Sequence, residues 1–308
     1  MAEIVTLDIA QGGDFFAGTS CVFGVFDGFH VGHQLMVAEA LATKPEGERA
    51  IAITFDIDPD EVFAPNRLKK ILTNEDRLAA LAASGVDAVA VLPFSREFAA
   101  LSPEAFLEAV FGEGAPAFVH VGVDFAFGRF GSGHVDDMRA WGEPRGMTVV
   151  GHELFRMDDG PITATRIRGL LAEGRVGEAN RLLGRPYALS GNVVHGRGSG
   201  AVFGIPTANL DVRQTHICVG DGVYGCRAEV DGAPYNAAVC IGIPPTFEDE
   251  AKQQVEVHLI DFDGDLYGRD LRIEFLQFIR PNRVFSGIDE LVATLRDNIA
   301  TIRATQPL

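Results

Sequence analysis

The sequence predicts two architectures in series: a parallel α/β sheet wrapped by helices, then a small antiparallel β-barrel domain with a C-terminal helix. Three observations carry this reading. Short, nearly all-apolar runs alternate with helical patterns over residues 1–160. After Pro186 the runs alternate polar and apolar residues and are separated by Asp-Gly turns. A length of 308 residues suits two domains, each large enough to bury a core.

Strands are expected at 20–26, 50–55, 87–92, 117–123 and 147–152. The run Ala88-Val-Ala-Val-Leu92 shows their type, apolar on both faces, as a strand covered on both sides must be. Helices are expected between them at 31–43, 74–84, 103–111 and about 135–145. The second opens on Thr73-Asn-Glu-Asp76, a capping signature, and ends before Gly85. Residues 163–183 read as helical with a break near Gly174, and the boundary near Pro186 divides the chain into 1–186 and 187–308. In the second part 226–230, 255–259 and 271–275 alternate, with turns at Asp231-Gly232 and Asp263-Gly264. Ser286-Gly-Ile-Asp289 reads as a capping box for a last helix with Leu291, Val292, Leu295 and Ile299 on its apolar side.

Lys+Arg 26 against Asp+Glu 43 leaves a net charge of -17. That balance argues against a general binder of nucleic acid or anionic membranes, because phosphate backbones need a basic face. The only lysines are Lys44, Lys69, Lys70 and Lys252. A phosphate site in the second half must therefore use backbone N–H groups, arginine or metal. No run approaches the roughly 18 apolar residues of a membrane span, and the opening MAEIVTLDIA has no basic leader. Cys21, Cys218, Cys226 and Cys240 form no C-x-x-C pair, so buried, reduced thiols in a cytoplasmic protein are expected. A homo-oligomer is compatible with this composition.

The segment Gly24-Val-Phe-Asp-Gly-Phe-His-Val-Gly-His33 follows the first strand and opens the first helix. His30 and His33 share one face there, beside unpaired backbone N–H groups and the positive end of the helix dipole. Gly28 and Gly32 allow close approach of a ligand to the backbone. Two imidazoles at that point suit a phosphate gaining charge during in-line attack. In the second half no Walker lysine loop exists. Instead Gly191-Asn-Val-Val-His-Gly-Arg-Gly-Ser-Gly200 runs into Gly204-Ile-Pro-Thr-Ala-Asn209. Its glycines could cradle phosphates, and Thr207 and Asn209 offer hard neutral oxygens suited to Mg²⁺. Taken alone, the run also reads as a plain hairpin loop.

The H-x-G-H frame is the signature of the nucleotidyltransferase superfamily. With Phe26-Asp27-Gly28 the string resembles the first module of bacterial bifunctional riboflavin kinase/FMN adenylyltransferases, the FAD synthetases. Thr54-Phe55 with Pro59 and Pro65, Val121-Gly-Val-Asp-Phe-Ala-Phe-Gly128, Ile162-Thr-Ala-Thr-Arg-Ile-Arg168 and Leu183-Gly-Arg-Pro-Tyr187 resemble further family segments in family order. Pro206-Thr-Ala-Asn209 is similar to the riboflavin kinase signature P-T-A-N, and Val255-Glu-Val-His258 with the stretch to Gly268 resembles its E-V-H-L-x-D-F-x-G-D-L-Y-G. Ile57 and Asp58 stand where the family usually has Pro and His; Thr163 and Ala164 replace two serines; Pro244 stands where Arg is frequent, a contact that Arg197 or Arg280 could supply.

The resemblance implies a Rossmann-like nucleotidyltransferase module with a helical connector, then a riboflavin kinase barrel. It implies ATP-dependent phosphorylation of riboflavin to FMN, then adenylylation of FMN to FAD, with ATP and Mg²⁺ at both steps. Implied for nucleotide binding are Gly24, Phe26, Asp27, Gly28, Gly32, Thr163, Thr165, Arg166, Gly191, Gly196, Gly198, Gly200 and Pro206. Asp124, Phe125 and Phe127 are implied for flavin, Thr207 and Asn209 for metal, and His30, His33 and Glu256 for catalysis. Adenylyl transfer needs no enzymic base, since a phosphate monoester is mostly ionised above its second pKa of about 6. The ribityl hydroxyl does need one, and by position Glu256 is that base; His258 reads as structural. Two alternatives stand beside this: a kinase with a silent or differently selective first module, and a non-enzymatic flavin- or nucleotide-binding regulator.

Overall fold

The computed structural model describes residues 1–7, 13–65, 67–195, 204–242 and 253–306. The contacts divide the chain into two compact units: Met1–Leu68 with Leu72–Ala164, and Lys69–Ile71 with Thr165–Leu308.

The first unit holds β1 (Glu3–Thr6), β2 (Ser20–Phe23), α1 (Val31–Thr43), β3 (Ala50–Phe55), α2 (Pro59–Phe63), α3 (Asn74–Ala82), β4 (Ala88–Leu92), α4 (Arg96–Ala99), α5 (Pro103–Phe111), β5 (Phe118–Gly122), α6 (Val135–Gly142) and β6 (Thr148–His152). A two-stranded ribbon follows, β7 (Arg156–Met157) and β8 (Gly160–Pro161). The six main strands are all parallel, in the order β1-β4-β3-β2-β5-β6. Cys21, Phe23, Ile51, Ile53, Ala90 and Leu92 pack on one face with Phe106, Val110 and Met138. Val22, Ala52, Val89 and Val91 pack on the other with Met36, Val37 and Leu81. Both faces are buried, which is why the strands read as continuous apolar runs. The Thr73 hydroxyl accepts the Asp76 N–H at 2.9 Å, so α3 starts at the expected cap. The edge strand β1 gives no such signal. It is exposed at three of four positions and lacks the all-apolar pattern of its neighbours.

The second unit opens with α7 (Ala164–Ala172), which begins on the last residue of the first, and α8 (Val176–Leu183). Six strands follow: β9 (Tyr187–Val194), β10 (Ala208–Asp211), β11 (Gly222–Val230), β12 (Ala233–Gly242), β13 (Gln254–Leu259) and β14 (Asp270–Arg280). They close a barrel in the order β10-β13-β12-β11-β14-β9, every pair antiparallel. Asp231 and Gly232, at φ 52° and 80°, make the tight β11–β12 turn that the sequence signals. Asp263-Gly264 makes no such turn: residues 260–269 separate β13 from β14. The chain ends in α9 (Ile288–Thr305). Its start is held by Glu290 rather than by the expected Ser286–Asp289 box. The Glu290 carboxylate accepts from the Ser286 N–H at 2.9 Å and hydroxyl at 2.7 Å. Its fully buried side chains are Asn298 and Ile302, whereas Leu291, Val292, Leu295 and Ile299 are half-buried.

Candidate active sites

In the first unit β2 lies between β3 and β5. The chain leaves β2 toward β3 and leaves β5 toward β6, so the two exits diverge. In open α/β sheets the crevice outside such strand ends is where ligands bind. The two exits carry the two motifs singled out in the sequence, 24–33 and 121–128.

After β2 the backbone is strained. Phe26 has φ 60°, Gly28 75° and Phe29 36°. Phe26 is 1% exposed, its side chain part of the core under α1. Asp27 is buried and its carboxylate accepts the Leu72 N–H at 3.3 Å. Gly24 is half-buried. Gly28 and Gly32 are buried, and a Cβ at Gly32 would lie 3.2 Å from the His30 ring.

The His30 and His33 rings stack, centroids 3.6 Å apart and 15° from parallel. His30 also caps α1: its Nδ1 accepts the His33 N–H at 3.3 Å, which places the proton of a neutral ring on Nε2. Capping by histidine is not a sequence signal, and it satisfies one of the N–H groups expected to be vacant for an anion. His33 Nδ1 is sealed from solvent with no hydrogen-bond partner. Burial, then the neighbouring His30, holds the His33 pKa well below the ordinary imidazole value.

On the β5 exit Asp124 is exposed and Phe125 half-buried, its ring 4.9 Å from Phe23. Phe127 is 4% exposed in the core, 5.1 Å from Phe106, because the sheet interior rather than solvent receives it. The substituted Asp58 is buried and caps α2, accepting the Asp60 N–H at 2.9 Å. Thr163, next to last in the first unit, is half-buried. Thr165 and Arg166 lie in the first turn of α7, within the second unit. One residue is missing from the sequence reading altogether: Arg77 on α3, 2% exposed and bonded to the segment leaving β2 and to the end of β3. The available signal was an arginine four residues before Leu81, on the apolar side of a short helix.

In the barrel, cross-strand register places Asn209 of β10 opposite Glu256 of β13, and Cys240 of β12 opposite Glu256 on the other side. Val255, Val257 and Leu259 fill the interior, so Glu256 and His258 face outward, half-buried. His258 Nδ1 donates to the Pro206 carbonyl at 2.8 Å, which ties the segment before Thr207 to β13. Thr207 and Asn209 are both half-buried at the start of β10. Burial, then the Glu256 charge, pushes the Cys240 thiol up to about 11. Gly191 lies within β9 rather than in a loop: it pairs with Leu271, and a Cβ there would sit 2.3 Å from the Asp211 carbonyl oxygen. Its glycine serves strand packing. Gly196, Gly198, Gly200, Arg197 and Pro244 lie outside the described residues. Among the described residues no His/Cys/Asp/Glu cluster could hold a metal ion. No described helix is long and apolar enough to cross a membrane.

Comparison with known proteins gives one match to each unit's chemistry. The riboflavin kinase family matches residues 183–306 and the FAD synthetase family residues 14–166. A bifunctional riboflavin kinase/FMN adenylyltransferase of Listeria monocytogenes is 33% identical over 91% of this chain and 90% of that protein. Its counterpart in Bacillus subtilis is 35% identical over 91% and 90%, and that of Escherichia coli 33% over 93% and 92%. A crystal structure from Streptococcus pneumoniae, described as a macrolide-efflux protein, aligns at 28% identity with TM-score 0.85, covering 97% of this chain and 98% of that one.

Proposed function

The chain belongs to the family of bifunctional riboflavin kinases/FMN adenylyltransferases, and from that membership we propose how its own residues divide the two reactions. It phosphorylates riboflavin to FMN with ATP and adenylylates FMN to FAD, releasing pyrophosphate. Residues 1–186 carry the second step, with 163–186 as connector, and residues 187–308 the first. The supporting observation is that each unit holds one polar constellation suited to one of the two reactions: the stacked His30–His33 pair, and Glu256 flanked in register by Asn209.

In adenylyl transfer the FMN phosphate oxygen attacks the α-phosphorus of ATP without help from a base. His30 Nε2–H and neutral His33 donate hydrogen bonds to the phosphate as charge builds there. Gly28 and Gly32 keep the backbone low beside it. The exits of β2 and β5 frame the flavin, with Asp124 and the half-exposed edge of Phe125 as its contacts.

In the kinase step Glu256 accepts the proton of the ribityl hydroxyl as the oxygen attacks the γ-phosphorus. Thr207 and Asn209 fit Mg²⁺: two neutral oxygens, with the remaining positions left to water and ATP phosphates, are what this hard cation accepts. When bound, the ion supplies charge neutralisation of the transferring phosphoryl group. His258 fixes the Pro206–Thr207 backbone, and Arg280, whose Nε is buried without a partner, takes the cationic role that Pro244 vacates.

The test is a pair of variants assayed by product chromatography. His30→Ala should lower FAD formation by about 10²–10³-fold, the usual effect of losing one transition-state donor, and leave FMN formation intact. Glu256→Gln should do the reverse. Unchanged turnover in either variant overturns that half of the assignment.

A further inference from the structure

Arg77 is the buried charge of α3, 2% exposed beside Leu81 and Ala82. Its Nη1 donates to the Val25 carbonyl at 3.1 Å and to the Thr54 hydroxyl at 2.5 Å. Its Nη2 donates to the Phe55 carbonyl at 2.7 Å, to Asn74 Oδ1 at 3.1 Å and to the Asp56 carbonyl at 3.4 Å. One planar fork thus grips the segment leaving β2, the end of β3 and its own helix. A lysine, a point charge on a flexible stem, could not serve all three directions at once.

Burying a guanidinium costs free energy unless charge and hydrogen bonds compensate it. Burial lowers the Arg77 pKa, while Asp58, Asp27, Glu61 and Asp56 act in the opposite direction. Those four carboxylates come from the segment after β2, the segment after β3, and α2. Asp58 is among them, so the residue that departs from the family pattern contributes countercharge to this buried cation.

The grip falls at a telling place. Val25 directly precedes the stretch in which Phe26, Gly28 and Phe29 hold positive φ, and that stretch delivers His30 to the cap of α1. Strained backbone persists only where its surroundings over-determine it. Arg77 fixes the entry to the strained stretch, and the Leu72 N–H bond to Asp27 fixes its middle.

We propose that Arg77 is a positioning residue for adenylyl transfer, its guanidinium locking the β2–α1 connection against the end of β3 so that His30 and His33 meet the reacting phosphate in register. The inference rests on the assignment of adenylylation to the histidine pair. Arg77 touches no substrate; it acts through the backbone that carries the donors, so its loss should appear in kcat rather than in substrate binding.

The experiment compares the full-length chain with Arg77→Met, Arg77→Lys and His30→Ala, following FAD formation from FMN and ATP and, separately, FMN formation from riboflavin. Misplacement of a reacting group by an ångström costs roughly 10²-fold, so Arg77→Met should lose about that in the kcat of FAD formation. Lysine, keeping the charge and part of the bonding, should recover about tenfold of it. KM for ATP and FMN should stay within about threefold, and riboflavin phosphorylation should be unchanged. Wild-type kcat in Arg77→Met, a loss confined to KM, or an equal loss in both activities would overturn the proposal. If Arg77→Met fails to fold, Arg77→Lys decides alone: an intermediate kcat with KM unchanged supports it, wild-type kcat refutes it. Full FAD formation in His30→Ala would instead sink the underlying assignment.

Discussion

His33 shows how burial selects a protonation state. Its Nδ1 is sealed without a partner, and its pKa lies well below 6.5. The ring therefore stays neutral through pH 7 and gains its proton only in acid. FMN's phosphate itself loses activity as a nucleophile below its second pKa of about 6. The pH profile of FAD formation should consequently carry that one acid limb, in the wild type and in His33→Gln alike. A further limb near pH 6.5, present in the wild type and abolished in His33→Gln, would mean that the imidazole titrates in the working range. The residue types at this site are legible in sequence. Their roles are less so: Phe26 and Phe127 read as ligand contacts because both stand in motifs, yet each is a core side chain. Whether an aromatic ring in a motif turns inward depends on loop dihedrals, which one-dimensional spacing does not encode.

Pairs of elements are joined by contacts with measurable consequences. Gly191 of β9 faces the Asp211 carbonyl of β10 so closely that Gly191→Ala must shift backbone. Overpacking of that kind should cost about 1–3 kcal/mol, seen as a lower melting temperature together with reduced riboflavin phosphorylation. In the other unit His120 of β5 and His152 of β6 share a 2.9 Å Nδ1···Nε2 hydrogen bond, and His120 Nε2 meets the Thr43 hydroxyl of α1 at 2.8 Å. Burial, then His152, pushes His120 down to about 4; burial lowers His152 as well, against the pull of Glu39. Below pH 6.5 the unfolded chain would thus bind protons that the folded sheet refuses, so stability falls as pH drops from about 6.5 toward 4. Melting curves at pH 7, 6 and 5 should show that decline, and His120→Gln should flatten it; an equal slope in the variant would place the acid sensitivity elsewhere.

Across the molecule all four cysteines are free thiols, three buried and Cys240 half-buried. Burial pushes Cys21 up to about 12 and Cys240 up to about 11, so neither offers thiolate near neutrality. The folded chain should therefore resist a thiol reagent at pH 7.5, and four thiols should react once it is unfolded in guanidinium. Rapid labelling of Cys240 in the native state would contradict its setting beside Glu256. The sequence by itself determined the architecture, because both-face burial leaves continuous apolar runs and a filled barrel leaves alternation, periods that survive in one dimension. The resemblance of its H-x-G-H and P-T-A-N strings to known family segments also carried the chemistry of each half, since each string is short and continuous in the chain. Only the tertiary structure decided what lies across elements: the Asn209–Glu256–Cys240 register, the packing role of Gly191, the histidine cap of α1, and the grip of Arg77 on Val25 and Phe55. The cap is local but turns on loop dihedrals; the other contacts join residues distant in sequence, and they exist only once the hydrophobic burial of the sheet and barrel has fixed where each backbone group points.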